Sequence, residues 1–542
     1  MATDLSAEEG PDRTSMETEQ VDESVMEPSV PMPPPFALAA VGGFAALFSL
    51  VALLSKGVSF ALLPVYTRYL TPADYGKIEL IELSFDVLTM IAGSRLLSGL
   101  FRFYYKADTD QERRAIISTG SLIICGGYAV VGLAAYIGAP QLAHLCLGDT
   151  KYAPLVRIGS LALASQALGT VPLALLRLRA QFHTAVLVQV ARLAVQVALN
   201  VLFLVHFHLG PRAIFLSTLI ANVAVGGTTM VVCMIPVGFR YSRTIVVELY
   251  RFGFPLIVMQ AATFILTFGD RYFLRPATSL TTVGLYAMAY NFAFAFGVLT
   301  QTPFNLVWEP KRFEVATRPD RDAIYARVFV YFNVAALAGA LGIAIFVRDF
   351  LHIIATPPFY GAADVVPILL ISIILGGWAS LHEVGILVAE RTGFLALANW
   401  LAAGMTLVAY AVLIPRYGSW GAAIATVVGY MVREVCTYKF SQHVWPVRYA
   451  WTPVWQLIAI TVATYGLSRL IPDGPMVYML PARTLLFAIY LYAVWRSRVL
   501  SDADRAAGRT LAGTLIDRAA TALGLRSLAV VAGAERGTDV GG

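Results

Sequence analysis

Long apolar stretches, separated by short polar turns, follow one another from residue 37 to residue 496. A helix that crosses a bilayer needs about 20 consecutive apolar residues, and most of these stretches reach that length. The pattern predicts an all-α polytopic membrane protein with about 14 transmembrane helices. The predicted spans are residues 37–66, 77–101, 115–139, 153–176, 183–207, 211–237, 249–274, 281–306, 324–347, 362–388, 393–414, 418–440, 452–470 and 477–495.

Composition supports a membrane protein and argues against several other classes. The chain of 542 residues is 58% hydrophobic and 14% charged, whereas a soluble chain is roughly 45–50% apolar and about 25% charged. The net charge of +6 is spread through loops, so lipid headgroups are its expected partner and no nucleic acid is expected. The four cysteines lack the spacing of metal ligands, and no cofactor is expected.

The loops that follow the even-numbered spans contain more Lys and Arg than those that follow the odd-numbered spans. Because cytoplasmic loops carry an excess of these residues, both termini are predicted to be cytoplasmic. Residues 1–36 are acidic and proline-rich, which predicts a disordered tail. Residues 497–542 have apolar positions at helical spacing, which predicts an amphipathic cytoplasmic tail.

The chain also repeats itself. Arg-Tyr followed by Tyr-Gly at residues 68–76 recurs as Asp-Arg-Tyr followed by Val-Gly-Leu-Tyr at residues 270–286. The two copies are an even number of crossings apart and therefore share one orientation in the membrane. This predicts two pseudo-symmetric six-helix lobes, residues 37–237 and 238–440, around a central cavity. Two extra transmembrane helices are predicted within residues 441–496.

Ionisable side chains within the predicted spans mark candidate sites, since a charge at membrane depth is costly and usually functional. Lys56 lies about ten residues or more from either end of its span, which is some 15 Å or more at 1.5 Å per residue. Arg95 and Asp86 lie on nearly opposite sides of the second span if that helix is straight. We expect Arg95 to face the cavity and Asp86 to pair with another helix. The alternative for Lys56 and Arg95 is that both snorkel to an interface.

Other charged positions complete the set of candidates. Arg192 and Glu383 lie within predicted spans; Glu383 could take up a coupling proton, although a structural ion pair is the favoured interpretation. Asp270 and Arg271 lie near the outer end of the seventh span, where they form either a gate ion pair or a solvated interface anchor. Arg68, at the exit of the first span, is a further gate candidate.

Several short motifs, in this order and spacing, resemble the Wzx-like flippases of the multidrug/oligosaccharidyl-lipid/polysaccharide (MOP) exporter superfamily. The resemblance covers about residues 45–440. It implies a MATE-like fold in which two lobes alternate access and move an isoprenoid-diphosphate-linked oligosaccharide from the inner to the outer leaflet of a bacterial inner membrane. The motifs are K-G at 56–57, P-V-Y-T-R-Y-L-T-P-A-D-Y-G at 64–76, L-F-R-F-Y-Y at 100–105, F-G-F-P-L at 252–256, D-R-Y-F-L at 270–274 and V-G-L-Y at 283–286.

These observations together predict a transporter rather than an enzyme. The cations suit a diphosphate, and other membrane proteins of polysaccharide assembly are expected partners. A cation-coupled drug exporter of the same superfamily is the nearer alternative, although it would favour an acidic cavity. A membrane polymerase or ligase is less favoured because the predicted outward loops are short. The assigned roles are diphosphate binding for Lys56 and Arg95, outer gating for Arg68, Asp270 and Arg271, and secondary cavity positions for Asp86, Arg192 and Glu383.

Overall fold

The computed structural model describes residues 54–55, 57–93, 95–471, 476–497 and 499, and these residues form helices and turns without a β-strand. Lys56 and both predicted tails lie outside the described residues. The first half of the chain forms α1 (Leu63–Tyr69), α2 (Pro72–Ala92), α3 (Leu96–Lys106), α4 (Asp110–Ile137), α5 (Ala139–Leu147), α6 (Ala153–Leu178), α7 (Phe182–Val201), α8 (Arg212–Ala221) and α9 (Thr228–Met234).

The second half continues with nine further helices in the described part of the chain. The longest, α16, contains a kink at Gly418, whose φ of 55° lies in the left-handed region. The chain reverses there, because Gly429 packs against Thr406 and the Tyr410 hydroxyl lies 3.4 Å from that of Thr426, so the predicted eleventh and twelfth spans are the two antiparallel arms of α16. The helices are α10 (Arg243–Phe268), α11 (Asp270–Ala277), α12 (Leu280–Ala316), α13 (Arg321–Ile354), α14 (Val366–His382), α15 (Val384–Val388), α16 (Gly393–Val444), α17 (Trp451–Leu470) and α18 (Met476–Arg496).

Ten helices of the described chain are long and apolar enough to cross a membrane by length and composition. The prediction of an all-α multi-pass membrane protein is confirmed, whereas the count of fourteen crossings is not. One reason is that α2 carries too many charged side chains to qualify by composition, with Glu79, Glu82 and Asp86 in its middle. A helix of this kind needs protein or water around it rather than lipid.

The predicted second span is wrong as a single helix. It breaks at Gly93, whose φ of 102° is accessible to glycine and strained for other residues. The chain resumes as α3 at Leu96, with Arg95 at the capping position of the new helix. Asp86 and Arg95 were predicted to lie on opposite sides of one straight helix. Because the helix ends between them, that argument does not apply.

Helices within each half approach one another closely where glycines remove side-chain bulk. In α4, a Cβ at Gly127 would overlap the carbonyl oxygen of Ala92, and one at Gly132 would lie 2.6 Å from Cβ of Ala164 on α6. These approaches fix α2 and α6 against α4. The frame that results places the start of α2 against α12 of the second half.

Candidate functional site

The two halves of the chain meet where α2 crosses α12, at one glycine from each copy of the sequence repeat. A Cβ added to Gly76 would overlap the carbonyl oxygen of Leu280, and a Cβ added to Gly284 would overlap that of Pro72. The contact is reciprocal, because each glycine faces the first turn of the other helix. Only glycine permits this approach of two backbones.

Both crossing helices begin in the same way. A hydroxyl side chain caps each first turn: Thr71 accepts a hydrogen bond from the backbone of Asp74, and Ser279 accepts one from that of Thr282, both at 3.2 Å. The crossing glycine follows five positions after the cap in both helices. The repeat seen in the sequence thus corresponds to two equivalent helix starts that pack on each other.

Beside the crossing lies a buried charged cluster centred on Arg271, which is 1% exposed. Its guanidinium bonds the carboxylate of Asp270 at 2.7 Å and lies 4.0 Å from the ring centroid of Tyr290. Asp270, itself fully buried, also accepts hydrogen bonds from Tyr286 at 2.6 Å and Thr426 at 3.2 Å. Asp270 and Arg271 therefore form an ion pair that also makes hydrogen bonds to neighbouring groups. Buried charges need both kinds of interaction to offset the loss of water.

This cluster also joins the two halves. Glu79 on α2 lies 3.4 Å from Nε of Arg271, at ion-pair distance. Helix α2 contributes two uncharged links as well, since Asn291 donates to the Tyr75 hydroxyl at 3.0 Å and Ser84 lies 3.0 Å from the hydroxyl of Tyr272. The start of α2 is thus tied to α11 and α12 by charge, hydrogen bonds and backbone contact.

Further along α2 the two halves separate around a cavity of about 340 Å³. Its polar groups are the carboxylate of Asp86, the guanidinium of Arg95 and the amide of Gln260, whose oxygen has no hydrogen-bond partner in the described chain. Apolar walls with a few convergent polar groups are typical of a ligand site. The remaining lining residues are Thr89, Met90, Phe264 and Phe268.

Phe268 separates the cavity from the charged cluster, because it lines the cavity and its ring lies 5.3 Å from the Arg271 guanidinium. Along α2, Glu79, Glu82 and Asp86 share one face, because residues three and four apart lie on the same side of a helix. Glu82 and Asp86 are exposed, whereas Glu79 is turned to Arg271. On its cavity side α2 therefore presents Glu82 and Asp86 without an ion-pair partner among the described residues, with Arg95 beyond the end of the helix.

Comparison with known proteins identifies the kind of protein that carries this arrangement. Residues 44–316, just over half of the chain, match the family described as polysaccharide biosynthesis protein. The chain belongs to this family. The matched region ends with α12, so it contains both copies of the repeat, the charged cluster and every residue that lines the cavity.

Solved structures show that this family member has the MOP-superfamily fold. The lipid II flippase MurJ, in an inward closed conformation, superposes with a TM-score of 0.66 at 11% identity, covering 84% of this chain and 99% of that one. An inward-facing multidrug resistance MATE transporter superposes with a TM-score of 0.54 at 14% identity, covering 72% of this chain and 94% of that one. The sequence resemblance to the MOP superfamily is confirmed.

One relative of related sequence gives less information about function. An uncharacterised membrane protein of Methanocaldococcus jannaschii is 22% identical over 324 residues, which are 55% of this chain and 61% of the relative. The chain therefore spans less than two thirds of that relative's length. This relative is described as a membrane protein, and its name states no activity.

The structure separates the predicted site residues. Asp86 joins Arg95 in the cavity instead of pairing with another helix, because the break at Gly93 redirects the chain between them; Asp86 makes no ion pair within the described residues. Arg192 donates to Asn222 at 3.0 Å within the first half of the chain, away from the cavity lining. Arg68 is exposed and forms no ion pair among the described residues.

Glu383 pairs with Arg312 at 2.9 Å, the structural pairing that the sequence favoured. Sequence reasoning gave Glu79 no partner and overlooked Gln260 and the two crossing glycines. The Arg271 partner of Glu79 lies 192 positions later in the chain, so no pattern along α2 alone indicates it. For the glycines a signal was present, because both follow a hydroxyl cap at the same distance.

Proposed function

We propose that this protein flips an isoprenoid-diphosphate-linked oligosaccharide from the cytoplasmic to the outer leaflet of a bacterial inner membrane by alternating access. The observation that carries the proposal is the cavity between the two halves, which combines the Arg95 guanidinium with the Asp86 carboxylate, an amide and aromatic side chains. Membership of the polysaccharide biosynthesis family supports a glycan substrate. The fold supports a transporter, because it is shared with MurJ and a MATE exporter.

Arg95 is the residue proposed to bind the diphosphate. Guanidinium and phosphate form paired, charge-assisted hydrogen bonds that are stronger than neutral ones. By the proposed orientation, α2 runs inward from Pro72, and its 21 residues span about 30 Å at 1.5 Å per residue. That length puts Arg95 at the level of the inner headgroups, where the diphosphate of a lipid-linked glycan lies before transport. Lys56, outside the described residues, is proposed as a second cation.

Asp270 and Arg271 are proposed to close the outer side together with the Gly76–Gly284 crossing. All of them lie at the end of the bundle that the Lys and Arg distribution assigns to the outside. To release a glycan outward, the ion pair between Glu79 and Arg271 must break and the glycines must part. The sugar then moves through a path of carboxylates and hydroxyls, which can hydrogen-bond its own hydroxyls.

The size of the cavity indicates that the lobes must move. A volume of about 340 Å³ is at the lower end of sites for drug-sized ligands. It accommodates a diphosphate and little more than one sugar, so an oligosaccharide requires a wider opening. The structure would therefore represent a state in which the cavity is contracted and the outer side is shut.

A cation-coupled drug exporter is the second candidate, and one observation favours it. Glu82 and Asp86 are exposed on the cavity face of α2 without a cationic partner among the described residues. Such carboxylates suit a positively charged drug. The family match and Arg95 argue for the glycan instead, and binding measurements can separate the two.

The test is to substitute Arg95 in cells that depend on this protein for surface glycan. Arg95→Ala should abolish surface glycan while the protein level persists and lipid-linked precursor accumulates inside. Arg95→Lys, which keeps the charge but loses the paired geometry, should retain part of the activity. Arg157→Ala is a matched control, because Arg157 is an exposed arginine on α6 outside the cavity; it should export normally.

Purified protein in lipid nanodiscs distinguishes the two candidates. A polyprenyl diphosphate should bind to the wild type and at least tenfold more weakly to Arg95→Ala, since charge-assisted hydrogen bonds are each worth about 1.5–3 kcal/mol. A fluorescent cationic dye should bind poorly to both. Tight dye binding that is lost in Asp86→Asn, with no diphosphate binding, would establish the exporter and refute the flippase.

The membrane orientation is proposed with the function. Both termini are placed in the cytoplasm, as the Lys and Arg distribution indicates. A single cysteine introduced at Asp149 should react with an impermeant thiol reagent added outside intact cells, and one at Asp110 should not. The reverse labelling pattern would invert the assignment of the inner and outer sides.

A further inference from the structure

A second buried ionisable pair lies far along the chain from the cavity, where α14, α16 and the start of α17 meet. Nδ1 of His382 lies 2.5 Å from Oε1 of Glu434, and the two residues are 0% and 4% exposed. Neither residue takes part in the cavity or in the cluster around Arg271. Buried titratable groups often mark functional sites, and this pair lies outside the cavity described above.

Aromatic rings surround the His382 imidazole on three neighbouring helices and on the segment between two of them. The His382 imidazole lies 5.0 Å from the ring of Phe329 on α13, 5.1 Å from that of Tyr438 on α16 and 5.7 Å from that of Trp451 on α17. Tyr449, from the segment between α16 and α17, lies nearest at 4.4 Å. The surroundings are apolar, so the charge of the pair is poorly screened.

Three polar atoms in this enclosure have no hydrogen-bond partner in the described chain: Nε2 of His382, Oε2 of Glu434 and the hydroxyl of Tyr449. Buried polar atoms are nearly always satisfied, so three together point to a ligand or to exchange of a proton. A tyrosine hydroxyl can donate to a neutral imidazole nitrogen or accept from a protonated one. Tyr449 is thus a neighbour suited to either state.

We propose that His382 and Glu434 form a proton-binding site. With a neutral imidazole and an ionised carboxylate, the pair carries a net charge of −1. Uptake of one proton at Nε2 converts the imidazole to imidazolium and brings the net charge of the pair to zero.

The surrounding charges allow the site to affect the rest of the protein. The next residue, Glu383, is bonded to Arg312 near the end of α12, the helix whose other end carries Gly284. Arg321 lies over the ring of Trp445 at 4.3 Å, in the segment that also carries Tyr449. Asp322 acts electrostatically on Tyr449, and Arg433 and Glu309 act on Glu383. A change of one charge at His382 therefore takes place beside the link between α14 and α12.

The site is separate from the substrate cavity, and its test does not depend on what the protein transports. Purified full-length protein would be titrated from pH 5 to pH 8.5 while tryptophan emission is recorded, because imidazolium quenches a neighbouring indole more than neutral imidazole does. Trp451 is the reporter in contact range of His382. The wild type should show a one-proton transition, and His382→Gln should lose it.

Matched variants decide whether the transition belongs to the pair. His352→Gln should keep it, because His352 is exposed and stacks on Tyr360 rather than on an indole. Glu434→Gln should shift its midpoint, and this variant supplies the test if His382→Gln does not fold. A flat wild-type titration, a transition that persists in His382→Gln, or a midpoint unchanged in Glu434→Gln would each overturn the proposal and leave a fixed structural hydrogen bond.

Discussion

The two ends of α2 carry similar residues and do opposite things. Its first half has Glu79 turned toward the buried Arg271 and Gly76 in backbone contact with α12. Its second half has Asp86 exposed in a cavity, without an ion pair among the described residues. Burial and ion pairing, rather than residue type, therefore separate the roles of the two carboxylates. Glu79 links the two halves of the chain, whereas Asp86 is available to a ligand.

The largest effect on stability should come from the charge at the centre of the closed end. Arg271→Met would leave Asp270 buried without a counter-charge, and breaking such a pair costs about 3–5 kcal/mol. We expect a clear fall in the melting temperature of the purified protein. The double variant Asp270→Asn, Arg271→Met should recover part of the loss, because it removes both charges. No recovery would mean that packing around Arg271, and not its charge, is what matters.

The crossing itself should come next. Gly284→Ala places a methyl group against the carbonyl of Pro72, and overpacking of this kind costs about 1–3 kcal/mol. Gly126→Ala is the matched control, since a Cβ at that helical glycine meets open space and alanine is the better helix former by about 1 kcal/mol. Thermal unfolding should therefore move in opposite directions in the two variants. Equal shifts would show that the lobes do not depend on the glycine contact.

A smaller effect is expected at the two helix starts. Thr71→Ala and Ser279→Ala each remove a hydroxyl cap, a loss of about 1 kcal/mol. If the two copies of the repeat are equivalent, the two variants should destabilise the protein by similar amounts, as measured by chemical unfolding. A penalty confined to one of them would show that only one helix start supports the crossing.

The smallest effect on stability should be at the open end. Arg95→Ala removes a partly exposed side chain with no ion pair among the described residues, so its free energy of unfolding should stay within about 0.5 kcal/mol of the wild type. Transport should nevertheless be lost. A variant that unfolds as readily as Arg271→Met would place Arg95 among the structural residues and remove it from the binding site.

Much of the architecture could be predicted from the sequence because hydrophobic length and repeated motifs are local signals. The all-α membrane class and the MOP-type fold needed only apolar runs and short motifs. The main error was the prediction of the second span as one straight helix. A single glycine in an apolar stretch does not by itself indicate a left-handed backbone conformation. Gly93 ends the helix all the same, and the position of Arg95 follows from that break.

The site was harder to predict because its contacts join distant parts of the chain. The sequence indicated that Arg271 and Asp270 belong together, but not that Glu79 reaches them from the other lobe. Likewise, nothing in the apolar run around Gln260 indicates a site. Its position beside Asp86 depends on how α10 packs in the folded protein. Pairings of this kind depend on how helices cross, which periodicity along one helix does not specify.

The most direct test of the central claim is a flipping measurement with purified protein. Liposomes that contain the protein would be loaded with a polyprenyl-diphosphate-linked oligosaccharide, and the glycan exposed on each leaflet would be counted with an impermeant lectin or glycosidase. We predict that the wild type equilibrates the glycan between leaflets and that Arg95→Ala, folded to the same extent, does not, whereas Arg157→Ala behaves as the wild type. Equal flipping by wild type and Arg95→Ala, or none by a wild type that moves a cationic dye, would contradict the account.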